Sequence, residues 1–217
     1  MKRIFLIRHG STLGNEQLTH QTAETPLSEN GLAQARLLGE RFKNLSADMI
    51  LASSMRRAQQ TAHAIAETTG LSIVSSDLLV ESASPSALHE KSHADEESKN
   101  IMGEIFKNFA DKTFRHSDEE TFWDLEARAK EALALILERE EEKIIVVTHG
   151  LVLKMMFGVM IFGDALSPEM FARFRHSLRN SNTGITICEY EPDRVPDIDH
   201  AYTGWRCITF NDHAHLG

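Results

Sequence analysis

The sequence predicts an α/β fold with a mainly parallel sheet, and three observations predict it. Short, strand-sized apolar runs recur along the chain, most plainly Ile4-Phe5-Leu6-Ile7 and Ile144-Ile145-Val146-Val147. Between such runs lie segments whose apolar residues keep helical spacing. The composition is that of an ordinary globular chain, with 217 residues of which 41% are hydrophobic and 25% charged. That length suits one domain spanning residues 1–217, with a sizeable core and room for an insert.

Taken in order, residues 3–7 read as a buried strand, and 10–26 as a polar, turn-rich stretch. Ser28 is a fitting N-cap for a helix running to about residue 45, with Leu32, Ala35, Leu38, Phe42 and Leu45 on its apolar face. Residues 49–52 read as a second strand. Met55, Ala58, Ala62 and Ile65 stripe the next helix, which closes near Gly70, and 71–74 read as a third strand. Residues 82 to about 118 change character, being rich in Ser, His, Glu and Lys. Met102, Ile105, Phe106 and Phe109 place one amphipathic helix there, and the region reads as an insert or cap over the main body. A helix over about 119–142 turns Phe122, Leu125, Ala129, Leu133 and Ile136 inward. Residues 143–148 form the plainest buried strand, another helix follows Gly150, and 183–190 and 206–210 read as late strands.

Charge and cysteine usage narrow the function classes. The formal net charge is −9, from 32 acidic and 23 basic residues, which argues against a nucleic-acid partner. The two cysteines, Cys188 and Cys207, make no disulfide framework and point to a reducing compartment. No apolar run approaches the ~18 residues of a membrane span. The run after Lys2-Arg3 stops at Arg8, short of the ~7–15 residues of a signal-peptide core. The expectation is a soluble, cytoplasmic protein with no membrane partner.

Two places share one design, a buried strand ending in histidine and glycine. They are Phe5-Leu6-Ile7-Arg8-His9-Gly10 and Val146-Val147-Thr148-His149-Gly150. In open α/β sheets ligands bind beyond the carboxyl ends of strands, so side chains at two such ends can share a pocket. Arg8 is costly at a strand end unless an anion meets it. The plain alternative for one His-Gly is a hydrogen-bonded structural histidine; the repetition, with an arginine beside one copy, weakens it. A third feature, Ser53-Ser54-Met55-Arg56-Arg57-Ala58-Gln59-Gln60-Thr61-Ala62, follows a strand and opens a helix. Helix N-termini favour anions and disfavour arginine, so a bound phosphate would explain Arg57, whereas Arg56 reads as solvated.

At this point the chain resembles the histidine phosphatase, or phosphoglycerate mutase-like, superfamily. The signature Arg-His-Gly-x-Thr/Ser-x-x-Asn reads here Arg8-His9-Gly10-Ser11-Thr12-Leu13-Gly14-Asn15. The family's Leu-Thr/Ser-x-x-Gly helix start reads Leu27-Ser28-Glu29-Asn30-Gly31, followed by Gln34-Ala35. Its Ser-x-x-x-Arg-Ala-x-x-Thr-Ala segment is matched by the 53–62 run, and its acidic residue by Leu79-Val80-Glu81. The second histidine motif reads Val147-Thr148-His149-Gly150, and the late Asn-x-Gly reads Asn182-Thr183-Gly184. The ordered set, spanning residue 3 to about 190, is far more specific than any member of it.

The resemblance implies a three-layer α/β/α sandwich with the insert over the active site. It implies a metal- and cofactor-free phosphomonoesterase for a small phosphorylated substrate. His9 would attack as a neutral nucleophile and become phosphohistidine. Arg8, Arg57, His149 and Gly150 would bind the phosphoryl group, with Asn15 donating a further hydrogen bond. Glu81 would protonate the leaving oxygen and then activate water. Glu90, Asp95, Glu96 or Glu97 would serve instead if the insert folds over the pocket. A mutase is the alternative within the family. Against it, Leu151 stands where mutases commonly carry asparagine, the Trp-containing segment after Asn15 is missing, and Ser82-Ala83-Ser84-Pro85-Ser86 replaces a glycine-bearing run. A catalytically silent binder of phosphorylated ligands is the rival from another class.

Other signals carry less. His89-Glu90-Lys91-Ser92-His93 matches the zinc-protease H-E-x-x-H pattern, but its polar surroundings offer no buried support for a metal, so it reads as a solvated face of the insert, with substrate-side polar residues as the alternative. The 138–142 glutamate run reads as a solvated helix end, Phe171 and Phe174 as core, and His213 and His215 as part of a polar tail. The acidic and histidine-rich insert makes polyanionic substrates less attractive than singly phosphorylated ones.

Overall fold

The apolar runs form strands because a sheet covered on both faces needs every side chain buried. The computed structural model describes residues 1–193 and 203–217. In chain order the elements are β1 (Lys2–Arg8), α1 (Leu13–Gln17), α2 (Glu29–Phe42), β2 (Met49–Ser53), α3 (Arg56–Thr69) and β3 (Ile73–Ser76). There follow α4 (Glu96–Lys107), α5 (Phe122–Leu137), β4 (Lys143–Thr148), α6 (Gly150–Phe162), α7 (Pro168–Ser177), β5 (Ile185–Tyr190) and β6 (Trp205–Asp212). Among the described residues the sheet has 6 strands in the order β3-β2-β4-β1-β5-β6. Strands β3, β2, β4 and β1 are parallel, β5 adds antiparallel to β1, and β6 adds antiparallel to β5.

Alternation along β1 divides the core. Ile4 and Leu6 enter a cluster with Leu125, Ala129, Met155 and Met156 of α5 and α6. Phe5 and Ile7 enter another with Leu38 and Phe42 of α2 and Ala58, Ala62 and Ile65 of α3. Each such buried side chain stabilises the fold by about 1.5–3 kcal/mol. The sheet therefore lies between two helical layers, as the α/β reading expects.

The register of β1 on β4 positions the functional end. Ile7 pairs with Val147 and Arg8 with Thr148, so His9 and His149 leave neighbouring strands at the same level. The His9 amide donates to the Thr148 carbonyl at 2.9 Å. Equal apolar run lengths in the two strands thus become side-by-side histidines.

Several boundaries differ from the sequence expectation. The polar 10–26 stretch holds α1, whose N-cap Thr12 and Asn15 form a capping box. Leu32, expected on the apolar face of α2, is 37% exposed, and Gly31 and Gly39 are buried with Ala35, Leu38 and Phe42 instead. Gly31 is required there, because a Cβ would lie 1.9 Å from the Ser11 carbonyl oxygen. Helix α5 is shorter than expected and ends at Leu137. Lys2 Nζ donates to the end carbonyls of Ile136 and Leu137 at 2.8 and 3.1 Å, so the following glutamates need not continue the helix. Helix α7 was not foreseen; Ser167 caps it and Pro168 opens it. In the insert, Phe106 is 47% exposed yet carries the Arg175 guanidinium at 4.7 Å from its ring centre. The tail is not free either: Ala214–Leu216 form a 3-10 turn, and His215 Nε2 lies 3.0 Å from Thr183 Oγ1. Among the described residues no helix is long and apolar enough to cross a membrane.

Candidate active site

A cavity of about 390 Å³ opens at the carboxyl ends of β1 and β2. Arg8, His9, Asn15, Arg57 and Glu81 all line it. His9 is 3% exposed, and its Nδ1 lies 2.7 Å from the Gly10 carbonyl oxygen. A carbonyl only accepts, so Nδ1 carries the proton and Nε2 keeps its lone pair. Arg57 Nε donates to that Nε2 at 3.2 Å. Burial, then Arg57, then Arg8 push the His9 pKa well below its ordinary value, against the raising effect of the Gly10 carbonyl.

Arg57 is buried and Arg8 half-buried, and both donate to backbone carbonyls. Arg57 Nη1 reaches Thr22 O at 2.8 Å, and Arg8 Nη1 reaches Asn180 O at 2.9 Å. Arg8 Nε is buried with no hydrogen-bond partner among the described residues. Burial lowers the pKa of both guanidiniums, and Glu81 opposes that shift in each. Asn182 and Thr183 lock the strand end from above: Asn182 Nδ2 donates to His9 O at 2.8 Å and the Thr183 amide to Arg8 O at 2.9 Å. Asn15 accepts at Oδ1 from the Thr12 amide at 3.3 Å, which leaves Nδ2 as its donor.

Glu81 lies against the start of α6. Its carboxylate accepts from the Leu151 and Val152 amides at 3.3 Å and from the Ser82 amide at 2.9 Å. Residues far away in sequence hold its loop. Arg128 Nη1 donates to the Leu78 and Val80 carbonyls at 2.9 and 2.8 Å, and Thr148 Oγ1 donates to Leu79 O at 2.7 Å. Gly150 sits beside the pair, since a Cβ there would lie 3.6 Å from Arg8 Nε and 3.7 Å from Glu81 Oε2.

His149 is placed differently from the others. It is fully buried and lies behind His9, ring centres 5.0 Å apart, rather than on the cavity wall. Its Nε2 shares a 2.8 Å hydrogen bond with Ser53 Oγ, while Nδ1 has no partner among the described residues. Burial, then His9 and the nearby arginines push its pKa well below the ordinary value.

The insert's acids do not join the site. Glu90, Asp95, Glu96 and Glu97 lie off the cavity wall, so among the candidate carboxylates Glu81 alone lines it. The H-E-x-x-H run is not helical: a 3-10 turn ends at Leu88, Glu90 has a φ of 65°, and Ser92 bridges to Thr19. Among the described residues no group of three or more His, Cys, Asp or Glu side chains could hold a metal ion. Sequence reasoning missed Gln21, which lines the cavity and accepts from Thr12 Oγ1 at 2.8 Å. It also missed Arg128 and Asn180, for which nothing local gave a signal, and assigned no role to Ser53, the first residue of the 53–62 run.

Comparison with known proteins bears on this arrangement. The family model of the histidine phosphatase superfamily (branch 1) matches residues 4–201. A probable phosphoglycerate mutase of Enterobacter sp. (strain 638) is 29% identical over 221 aligned positions, covering 100% of this chain and 95% of that protein. A phosphatase of Bacillus subtilis (strain 168), PhoE, is 28% identical, covering 100% and 97%. Among solved structures, YhfR of Bacillus stearothermophilus aligns over 100% of both chains with a TM-score of 0.79 and 25% identity. A phosphoserine phosphatase of Entamoeba histolytica, solved with phosphoserine, shares the fold with a TM-score of 0.75 over 100% of both chains at 23% identity.

Proposed function

The chain belongs to the histidine phosphatase superfamily, and on that premise we propose that it is a metal-independent phosphomonoesterase that works through phosphohistidine at His9. One observation carries the reading. Gly10 O holds the Nδ1 proton, so a neutral Nε2 lone pair sits in a cavity between two arginines that have no carboxylate hydrogen bond among the described residues.

A small phosphorylated substrate enters with its phosphoryl oxygens toward Arg57, Arg8 Nε and Asn15 Nδ2, and the arginines exchange a solvated anion for the cost of their own burial. His149 Nδ1, like Arg8 Nε a buried atom without a partner among the described residues, takes a phosphoryl contact that forms only in the complex. His9 Nε2 then attacks phosphorus. The N–P bond forms as the ester P–O bond breaks, and the Gly10 carbonyl steadies the positive charge gained by the ring. Glu81, in the protonated form that the hydrolysis step regenerates, gives its proton to the departing oxygen. Its carboxylate next takes a proton from water, which attacks phosphorus and breaks the N–P bond, releasing phosphate and neutral His9. The arginines supply the positive charge, so no step calls for a metal or cofactor.

Phosphate release from an aryl phosphate in EDTA, compared between wild type and His9→Ala, tests the reading. Release by the wild type and a loss of about 10³-fold or more in the variant is expected. Equal release by both would make His9 a bystander. The mutase-named relative makes phosphoryl transfer the second reading, and phosphate moved within phosphoglycerate without release would favour it.

A further inference from the structure

The mouth of the same cavity is lined by three imidazoles, those of His20, His89 and His93. They come together because residues 18–20 and 90–93 zip against each other. The His20 amide donates to Lys91 O at 2.9 Å, the Glu90 amide to His20 O at 2.8 Å, and the His93 amide to Leu18 O at 2.9 Å. Two residues without the freedom of glycine adopt the left-handed region to make this turn, Leu18 at φ 55° and Glu90 at φ 65°. Such backbone costs about 1–3 kcal/mol each and persists where the surroundings enforce it.

The result is a paired surface of N–H donors. The His20 and His93 rings meet edge to face, with centres 4.4 Å apart. His20 Nε2 is buried and has no hydrogen-bond partner among the described residues. The insert's own charges are spent elsewhere: Lys91 Nζ pairs with Glu97 at 2.6 Å, and Asp95 accepts from the Ser92 amide at 3.1 Å. Arg8 and Arg57 sit at the floor. Among the described residues the mouth therefore offers imidazoles and no guanidinium or ammonium group of its own. A doubly charged phosphate would call for arginine or lysine. A carboxylate, with one charge and two acceptor oxygens, fits adjacent imidazole donors.

We propose that His20, His89 and His93 form a subsite for a carboxylate carried by the leaving group, which makes phosphomonoesters of small hydroxy acids the preferred substrates. The proposal rests on the reading of the floor as the phosphoryl site. It replaces the view of the 89–93 run as a solvated face.

The test uses O-phosphoserine and O-phosphoethanolamine, which differ only in the carboxylate, with an aryl phosphate as a carboxylate-free control. Wild type is expected to favour phosphoserine by about tenfold or more in kcat/KM. His20→Gln and His93→Gln are expected to erase that ratio through KM, with aryl phosphate turnover unchanged. Equal turnover of the two esters by wild type, or an equal loss on all three substrates in both variants, would overturn the subsite. Calorimetric binding of the two esters to His9→Ala needs no turnover. A missing phosphoserine preference there overturns the subsite whatever the kinetics show. An intact preference without turnover of any of the three esters by wild type supports it and sinks the catalytic reading instead.

Discussion

The floor and the mouth of the cavity are built by opposite means. At the floor, His9, Arg57 and His149 are each at most 3% exposed, and every one is anchored by a strand, a helix start or a neighbouring side chain. At the mouth, His89 and His93 are exposed rings on turns. The difference teaches that chemistry and substrate choice are separable here. A change at the floor alters charge in a dry site, where it costs rate and stability together. A change at the mouth alters what the leaving group meets and leaves the core alone.

The largest effect expected at the floor, short of losing His9, belongs to Glu81. Glu81→Gln keeps the contact surface and removes the proton donor and base. A fall of about 10²–10⁴-fold in turnover is expected for an alkyl phosphate. An activated aryl phosphate needs little help in leaving, so phosphorylation should persist while hydrolysis stalls. Protein quenched in alkaline detergent, which spares the acid-labile P–N bond, should then carry a phosphoryl group on His9. No trapped phosphoenzyme, with turnover unchanged, would break the assignment.

Arg57 comes next. Arg57→Ala is expected to lower kcat/KM by about 10²–10³-fold through lost transition-state charge stabilisation. It also removes the second-largest cause of His9's depressed pKa, after burial. The acidic limb of the pH–rate profile should therefore move toward neutral pH. An unmoved limb would mean that a group other than His9 sets it.

Stability should report the same burial. His9 and His149 are both held neutral, with folded pKa values well below the ordinary 6.5. Between the folded values and 6.5 the unfolded chain binds protons that the folded chain refuses. Stability is thus complete above 6.5 and falls as pH drops below it, by about 1.4 kcal/mol per pH unit for each histidine. The depressed carboxylates Glu119 and Asp124 titrate at lower pH and contribute there. Denaturant midpoints for wild type and His149→Gln between pH 5 and 7 would check this. The variant should show the shallower slope.

Legibility in the sequence follows the same division. The floor was readable because its residues end apolar runs or open a helix, so a local pattern carries them: His9 and His149 after strands, Arg57 at a helix start. The supports were not. Arg128 holds the Glu81 loop from α5, and Asn180 anchors Arg8, through contacts between segments distant in the chain. Helix α1, with 5 residues, is too short to show a period and exists by its capping box. The mouth was misread for a related reason. Its histidines acquire a common surface only through pairing of 90–93 with 18–20, which the H-E-x-x-H spacing does not reveal.

The smallest expected effect separates charge from position in the insert. The acidic and histidine content of the insert makes polyanionic substrates less attractive, but its acids Glu96 and Glu97 both lie off the cavity wall. Glu97 is 57% exposed and pairs with Lys91, itself 35% exposed, a geometry that contributes about 0–1 kcal/mol and is screened by salt. Glu97→Gln should therefore change kcat/KM for any phosphomonoester by less than about twofold at physiological salt. A much larger gain, confined to anionic substrates and abolished by salt, would show that the insert acts through long-range field. The mouth would then select by net charge, and the imidazole contacts would lose their place in the comparison.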